Sequence, residues 1–541
     1  MAYLDIKDLS FTYPGCSDKA VDGVSLSIER GEFVVLMGAT GSGKSTLLRL
    51  LKPELRLNGD IRGEVLFDGE DMSDLTPEKS ASQIGFVGQY PEEQIVTDKV
   101  WHELAFTLEN LGADRDTIAR RTAEISAFFD IDSWYRADTS SLSGGQKQLL
   151  SLASVMTADP GLLILDEPTA QLDPIAAARF IDAVYRLNRE TGITVIISEH
   201  RSEELLPRAD RLLILEGGRV IADGSPRSVA RDLSSDSPYI SYLTSAARIY
   251  KAGSNIGEPA LSIREGQRYL SSFDNKIRSL PDACEYKPAE IALELKSVFF
   301  RYERDGADIL SDLDLTVCRG EVFALLGSNG AGKSTAALVA SGLRKPYSGK
   351  IRLFGKPLKD YKNGSLYKGN ISLLPQDVES VFICDTVGEE LKGCEDVIST
   401  IPYDLTDLFD RHPYDISGGE RQLVALCKAL ATQPQLIIMD EPSKGLDVNA
   451  KAQLAEIVLG LKDRGVTVLL ISHDVEFAAM CADRCAMFSQ GRIAACEPTE
   501  CFLSGNRFYT TAASRITRGV YEGAYTVERA LKLISLNRGK T

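Results

Sequence analysis

Apolar residues in this chain gather into short unbroken runs. Phe33 to Met37 (FVVLM) and Val322 to Leu326 (VFALL) each run into a glycine-rich segment, and the stretches LLRLL and AALVA that follow read as helices. Runs of this length predict strands buried on both faces, as in a mostly parallel sheet covered by helices. The pattern recurs in LLILDE and LIIMDE, where four apolar residues end on an Asp-Glu pair, and in TVIIS and TVLLIS further on. ADRDTIARRTAEISAFFDI spaces its apolar residues as one face of a helix. No apolar run approaches the roughly 18 to 20 residues that span a bilayer. The start, MAYLDIKDLSFTYPG, lacks a charged region followed by an apolar stretch. The expectation is a chain neither secreted nor membrane-spanning.

The runs occur twice in the same order. GATGSGKST at Gly38–Thr46 returns as GSNGAGKST at Gly327–Thr335, SLSGGQKQL as DISGGERQL, and LLILDEPTAQLD as LIIMDEPSKGLD. This is one catalytic domain duplicated, with too few copies for a solenoid. The 541 residues also exceed what one core holds. The expected division is 1–235 for the first domain, 236–289 for a linker of mixed composition, 290–505 for the second domain and 506–541 for a C-terminal tail. That tail is basic, with Arg515, Arg518, Arg529, Lys532, Arg538 and Lys540 against Glu522 and Glu528; it reads as a solvated surface helix or as a docking element. The interval from Gln376 to Ser417 is shorter than that from Gln89 to Ser143, so the second copy carries a trimmed helical subdomain.

Charge narrows the partners. A net charge of −16 disfavours a long phosphate-backbone interface, and no nucleic acid is expected. Ten cysteines, only Cys16 in the first half and none in CxxC spacing, read as reduced and mostly buried thiols.

Strand, glycine-rich loop and helix in succession make a phosphate cradle. Loop and helix N–H groups surround the anion, Lys44 or Lys333 reaches the β and γ oxygens, and Ser45 or Ser334 holds Mg²⁺. Gly38, Gly41 and Gly43, with Gly327, Gly330 and Gly332, let the backbone approach, and Thr46 and Thr335 close the motif. The Asp-Glu pairs place Asp166 and Asp440 on Mg²⁺, directly or through water, and Glu167 and Glu441 one residue on to polarise the attacking water. His200 and His473 follow matched strands, where an imidazole can bond the γ-phosphate and orient water. ATP and Mg²⁺ are therefore the expected cofactors.

The order of phosphate loop, Gln, SGGQ or SGGE, acidic pair, Leu-Asp and His resembles the ATP-binding-cassette (ABC) ATPases over essentially both halves. The resemblance implies two tandem α/β cassettes, each with a mixed, mostly parallel core sheet, an antiparallel flank near its N-terminus and a helical subdomain bearing the signature. It implies two ATPs clamped head to tail, Lys44 with Ser417, Gly418 and Gly419, and Lys333 with Ser143, Gly144 and Gly145, the two halves pairing within one chain. It further implies that Gln89 and Gln376 sense Mg²⁺ and a membrane partner, that Asp173 and Asp447 lie at the seam, and that Tyr13 and Tyr302 stack on adenine. A tyrosine there also fits a strand or core position. Departures from the pattern are Ile416 and Glu420 in the second signature and Glu199 before His200.

GQYPEEQIVTDKVWHELAFTLENLG, after the first strand-end Gln, resembles the energy-coupling-factor importers of vitamins and metal ions. There, paired ATPases on the cytoplasmic face of the membrane drive a transmembrane coupling subunit that carries an interchangeable substrate-binding membrane subunit. The second copy, PQDVESVFICDTVGEEL, keeps Gln376 and loses the Pro-Glu-x-Gln pattern. Two alternatives stand beside this: a soluble tandem cassette protein acting on ribosomes, against which the acidic chain and mixed linker speak, and the fused ATPase of a conventional ABC importer.

Overall fold

The computed structural model describes residues 2–253, 257–273, 275–280, 290–399, 401 and 403–538. They divide into two compact units, Met1–Ser262 and Ile263–Thr541. The first unit contains β1 (Leu4–Thr12), β2 (Lys19–Ile28), β3 (Phe33–Met37), β4 (Asp60–Phe67), β5 (Glu70–Asp71), β6 (Ile84–Val87), β7 (Leu162–Asp166), β8 (Thr194–Ser198), β9 (Arg211–Glu216) and β10 (Arg219–Gly224). These build a six-stranded sheet of order β10-β9-β3-β8-β7-β6 and a four-stranded flank β2-β1-β4-β5. The core sheet is parallel except for its edge strand β10, and the flank is antiparallel throughout.

The second unit repeats the plan with β11 (Ile291–Phe300), β12 (Leu310–Cys318), β13 (Val322–Leu326), β14 (Ser348–Leu353), β15 (Lys356–Pro357), β16 (Ile371–Leu374), β17 (Leu436–Asp440), β18 (Thr467–Ser472), β19 (Arg484–Ser489) and β20 (Arg492–Pro498). Its sheets run β16-β17-β18-β13-β19-β20 and β12-β11-β14-β15.

The unbroken apolar runs have a direct structural reason. In β3, Phe33, Val35 and Met37 enter one core cluster while Val34 and Leu36 enter the other, packed beneath the antiparallel flank. In β13, Val322, Ala324 and Leu326 face one cluster and Phe323 and Leu325 the other. Side chains alternate across a strand, so a strand with apolar cores on both faces has no polar position to spare.

The helical subdomains differ as the interval lengths predict. Between β6 and β7 the first unit has helices Val100–Asn110 and Arg115–Phe128, the latter capped by Asp114, whose carboxylate accepts from the Asp116 and Thr117 amides. In the place of these two the second has a pair of four-residue helices, Val387–Glu390 and Glu395–Ile398. Leu391, Cys394, Leu405 and Leu408 nevertheless still bury in its core.

Each unit also has helices beyond its core sheet. Ser245–Ala252 packs in the first unit, and its Ser245 amide donates to Glu203 at 2.6 Å. In the second, the Ala512 amide of helix Ala512–Thr517 donates to Glu476 at 2.7 Å. Glu203 and Glu476 each stand three residues after the strand-end histidine.

The stretch read as a linker is divided by this arrangement. Helix Ile263–Ser271 belongs to the second unit, where it packs on Ala512–Thr517 and Gln267 Nε2 donates to the Arg515 carbonyl at 2.8 Å; residues 281–289 lie outside the described residues. Several tail cations bond within the second unit, while Lys532 stays exposed. Arg529 pairs with Glu500 at 2.9 Å, Arg518 donates to the Ser504 and Asn506 carbonyls, and Arg538 lies over the Phe273 ring; Lys540 is outside the described residues. Of the nine described cysteines, all free thiols, Cys318, Cys394, Cys427, Cys481 and Cys485 are buried. Among the described residues no helix is long and apolar enough to cross a membrane.

Candidate functional site

The phosphate loop leaves β3 at Met37 and turns into helix Lys44–Leu50, with Gly43 at its head in the left-handed region, φ 99°. A side chain cannot be accommodated there, since a Cβ on Gly43 would sit 2.1 Å from the Ala20 carbonyl oxygen. Lys44 is buried; its ammonium donates to the Gly38 and Ala39 carbonyls, both at 2.9 Å, and lies 3.8 Å from Glu167 Oε1. Lys333 repeats this, donating to Gly327 at 2.8 Å and Ser328 at 3.0 Å and lying 3.4 Å from Glu441 Oε1.

Ser45 Oγ donates to Asp166 Oδ1 at 2.9 Å, and Ser198 donates to the same oxygen at 2.8 Å. In the second unit Ser334 bonds Asp440. The tyrosines are not core residues. Tyr13 and Tyr302 are 38% and 57% exposed, packed edge-on against Phe11 and Phe300. Their hydroxyls share hydrogen bonds with the motif threonines, Thr46 at 2.9 Å and Thr335 at 3.2 Å, which fixes an exposed ring face beside each phosphate loop.

The acidic pairs sit where buried strands end. Asp166 closes β7 and Asp440 closes β17, while the next residues, Glu167 and Glu441, take positive φ of 46° and 52°. Non-glycine residues held in this region cluster at functional sites because the surroundings must sustain the strain. Here the Glu167 amide is tied to Ser198 Oγ at 3.0 Å and the Glu441 amide to the Ile471 carbonyl at 2.8 Å. The histidines close on these carboxylates, His200 Nε2 at 3.0 Å from Glu167 Oε1 and His473 Nδ1 at 2.8 Å from Glu441 Oε2.

Burial sets the proton affinities. It pushes Asp166 above the ordinary carboxylate range and Asp440 up to about 6, Ser334 and Lys333 opposing it only in part. Glu441 meets the same burial, but the His473 hydrogen bond and the charges of His473 and Lys333 outweigh it and draw its value down. Asp474, buried beside Lys451 at 2.7 Å, is drawn down to about 2.

For Asp440 the sign of the pH dependence follows from the raised value. Its contribution to stability is complete below the unfolded value of 3.8 and is lost as pH rises through about 6. Asp440→Asn, which cannot ionise, is therefore expected to raise the thermal midpoint of the ligand-free chain at pH 7.5 and to raise it much less at pH 4.5, as read by scanning calorimetry.

Ser143 and Ser417 each head a thirteen-residue helix through a capping box, with Gln146 and Glu420 as the reciprocal partners. The departure at Glu420 therefore preserves the cap. Gly144 and Gly418, next in line, have open space where a Cβ would stand, whereas one on Gly145 would lie 3.1 Å from Ala176 and one on Gly419 would lie 3.5 Å from Leu446. Asp173 and Asp447 cap the helices Pro174–Thr191 and Val448–Asp463. Gln89 and Gln376 lie in the loops that follow β6 and β16.

Sequence reasoning passed over several residues that build these loops. Glu103 is buried and accepts from the Val96 and Thr97 amides at 3.1 and 2.8 Å; Glu390, its counterpart, accepts from Ile383, Cys384 and Lys428. Gln148 Nε2 donates to the Gly88 carbonyl at 2.9 Å. Their signal in the sequence was slight, a polar residue one helical turn into an apolar stretch.

The profile of the family described as ABC transporter matches residues 21–170 and again 310–444. The chain belongs to the ABC transporter ATPases, with two cassettes in tandem. It is 38% identical over 539 residues to a putative ABC transporter ATP-binding protein of Bacillus thuringiensis subsp. konkukian, an alignment covering 98% of each chain. A putative ABC transporter ATP-binding protein of Streptomyces coelicolor is 32% identical over 562 residues, covering 94% of this chain and 96% of its own. Among solved structures, cbiO1 from Clostridium perfringens, part of the ABC transporter complex cbiONQ, is 30% identical over 43% of this chain and 91% of its own, with a TM-score of 0.40. The two cassettes are thus ATPase domains that bind ATP, built on the P-loop α/β fold.

Proposed function

We propose that this ABC ATPase powers a membrane importer of the energy-coupling-factor type, seated peripherally on the cytoplasmic face of the membrane against a transmembrane coupling subunit that carries a substrate-binding membrane subunit. The observation that supports this reading is the loop after β6. There the Pro-Glu-x-Gln motif makes a braced platform: Pro91 is buried, and Gln94 spans the loop by accepting from the Gly88 amide at 2.8 Å and donating to the Phe86 carbonyl at 3.2 Å. Glu92 pairs with Lys147 on the signature helix at 3.1 Å. Tyr90, Val96 and Trp101 are left outside at 41%, 68% and 44% exposure. Aromatic and aliphatic side chains held outward on a rigid loop suit docking of an apolar protein surface.

In this reading the phosphate loops hold the β and γ phosphates, Tyr13 and Tyr302 stack on adenine, Glu167 and Glu441 polarise water, and His200 and His473 hold the γ-phosphate. Ser45 with Asp166, and Ser334 with Asp440, hold Mg²⁺, with Gln89 and Gln376 adjoining. The donor set fits that ion: Asp440 Oδ1 is buried without a hydrogen-bond partner, and among the described residues no cluster of three or more His, Cys, Asp or Glu could hold a metal alone. Mg²⁺ is bound in this manner by one or two protein oxygens together with substrate phosphates, and when bound it neutralises developing phosphate charge. The protein's own part is to seat the hydroxyl and carboxylate on one side and the water-polarising carboxylate one residue away.

Family resemblance pairs each phosphate loop with the other half's signature, so Gly418→Asp is expected to abolish most turnover at the site containing Lys44. Trapping of photoreactive ATP analogues, resolved by half after proteolysis, reads the effect. For the transport role, the tagged chain purified from its native cells in mild detergent should carry a polytopic membrane protein in near-equal amount. Recovery of ribosomal proteins instead, surviving moderate salt, would overturn the importer reading.

A further inference from the structure

One buried hydroxyl joins the two acids of the first cassette. Ser198 ends β8 beside Asp166, its register partner at the end of β7, and is closed off from solvent. Its Oγ accepts from the Glu167 amide at 3.0 Å and donates to Asp166 Oδ1 at 2.8 Å. An amide N–H can only donate, so the serine hydrogen goes to the carboxylate and the direction of that bond is fixed.

Asp166 Oδ1 also accepts from Ser45 Oγ at 2.9 Å. Ser45 reaches it from the phosphate-loop helix and Ser198 from the neighbouring strand, so the carboxylate is held both from the loop and from the sheet. Two donors on one oxygen fix the rotation of the carboxylate plane, and with it the direction in which Oδ2 faces.

The strand itself does not require a hydroxyl at this point. The second cassette has Ile471 at the same register beside Asp440, fully buried, and there Asp440 Oδ1 is buried without a hydrogen-bond partner. The Glu441 turn is held by the Ile471 carbonyl at 2.8 Å. An apolar residue thus serves the sheet, and what Ser198 adds is its pair of bonds to the acidic residues. The next residue differs as well, Glu199 against Ser472, so the contribution of Ser198 is isolated by substitution within the first cassette.

We infer that Ser198 is a positioning residue of the first ATP site, acting through Asp166 to set that carboxylate for Mg²⁺. This rests on the reading of Asp166 as the metal-side acid and names the group that orients it. Carboxylates that hold a metal are themselves held by hydrogen bonds, and losing such a bond typically weakens metal binding roughly ten- to a hundredfold.

The test uses the full-length chain and a non-hydrolysable photoreactive ATP analogue at increasing Mg²⁺, with labelling resolved by half after proteolysis. Ser198→Ala is expected to raise the Mg²⁺ concentration for half-maximal labelling of the first half roughly tenfold, with the plateau at saturating Mg²⁺ retained and the second half unchanged. Ser198→Cys, close in volume but a weak donor, should shift the first half in the same direction, and serves if the alanine chain does not fold. A merely structural loss would lower the plateau and leave the Mg²⁺ midpoint in place. That result, an equal shift in both halves, or a midpoint unmoved while Asp166→Asn shifts it, would overturn the inference alone. If Asp166→Asn itself leaves the midpoint at the parent value, the metal-side role of Asp166 has failed and the inference falls with it.

Discussion

Replacing Glu167 and Glu441 together by Gln is expected to reduce steady-state ATP hydrolysis by roughly 10² to 10⁴, with nucleotide binding retained. Gln keeps the volume and one acceptor oxygen, so the contacts with Lys44 and His200, and with Lys333 and His473, lose their charge but not their shape. Both residues sit at positive φ on rigid strand ends, and Gln is held there as Glu is. The measurement is phosphate release at saturating ATP beside equilibrium binding of a fluorescent ATP analogue. Turnover within a fewfold of the parent would move the general-base role elsewhere.

The second large effect concerns two glycines that the motif makes look equivalent. Gly43 and Gly332 both head their phosphate-loop helices, with φ 99° and 100°. Either Ala substitution incurs the left-handed strain of about 1 to 2 kcal/mol. The surroundings then diverge. A Cβ on Gly43 would meet the Ala20 carbonyl at 2.1 Å, a backbone atom of β2 that cannot give way without breaking the antiparallel flank, whereas one on Gly332 would meet the Ile309 backbone oxygen and side chain at 3.0 Å. Gly43→Ala is expected to abolish nucleotide binding in the first cassette and to lower the unfolding midpoint. Gly332→Ala should weaken binding in the second by a few-fold only. Site-resolved nucleotide titration of the two variants separates them, and equal losses would show that the strain dominates over the contact.

Much of the architecture was legible in the chain. Both cassettes, their phosphate loops, the strand-end acids and the trimmed second helical subdomain could be placed from apolar runs and repeated motifs. The strands of a sheet buried on both faces leave an unbroken apolar signature, and a loop that closes on a phosphate demands glycine at fixed spacing. Less could be read where one residue type serves several ends. A single Glu within an apolar helix start, as at Glu103 and Glu390, carries no sign that it binds two amides of a loop seven residues upstream. The tail shows the same limit: its cations suggested a solvated helix or a docking element, and gave no sign that Arg529 pairs with Glu500 or that the exposed Arg518 donates to two carbonyls.

What the sequence by itself determined is the catalytic plan, two copies of one ATPase cassette, because that plan depends on local chemistry at fixed spacing. Tertiary structure decided how each copy holds its acidic pair. Register sets Ser198 beside Asp166 and Ile471 beside Asp440, so Asp166 accepts a hydroxyl at 2.8 Å where Ile471 has none to offer. Such differences arise from contacts about thirty residues apart in sequence, between chain segments brought together only when the sheet assembles.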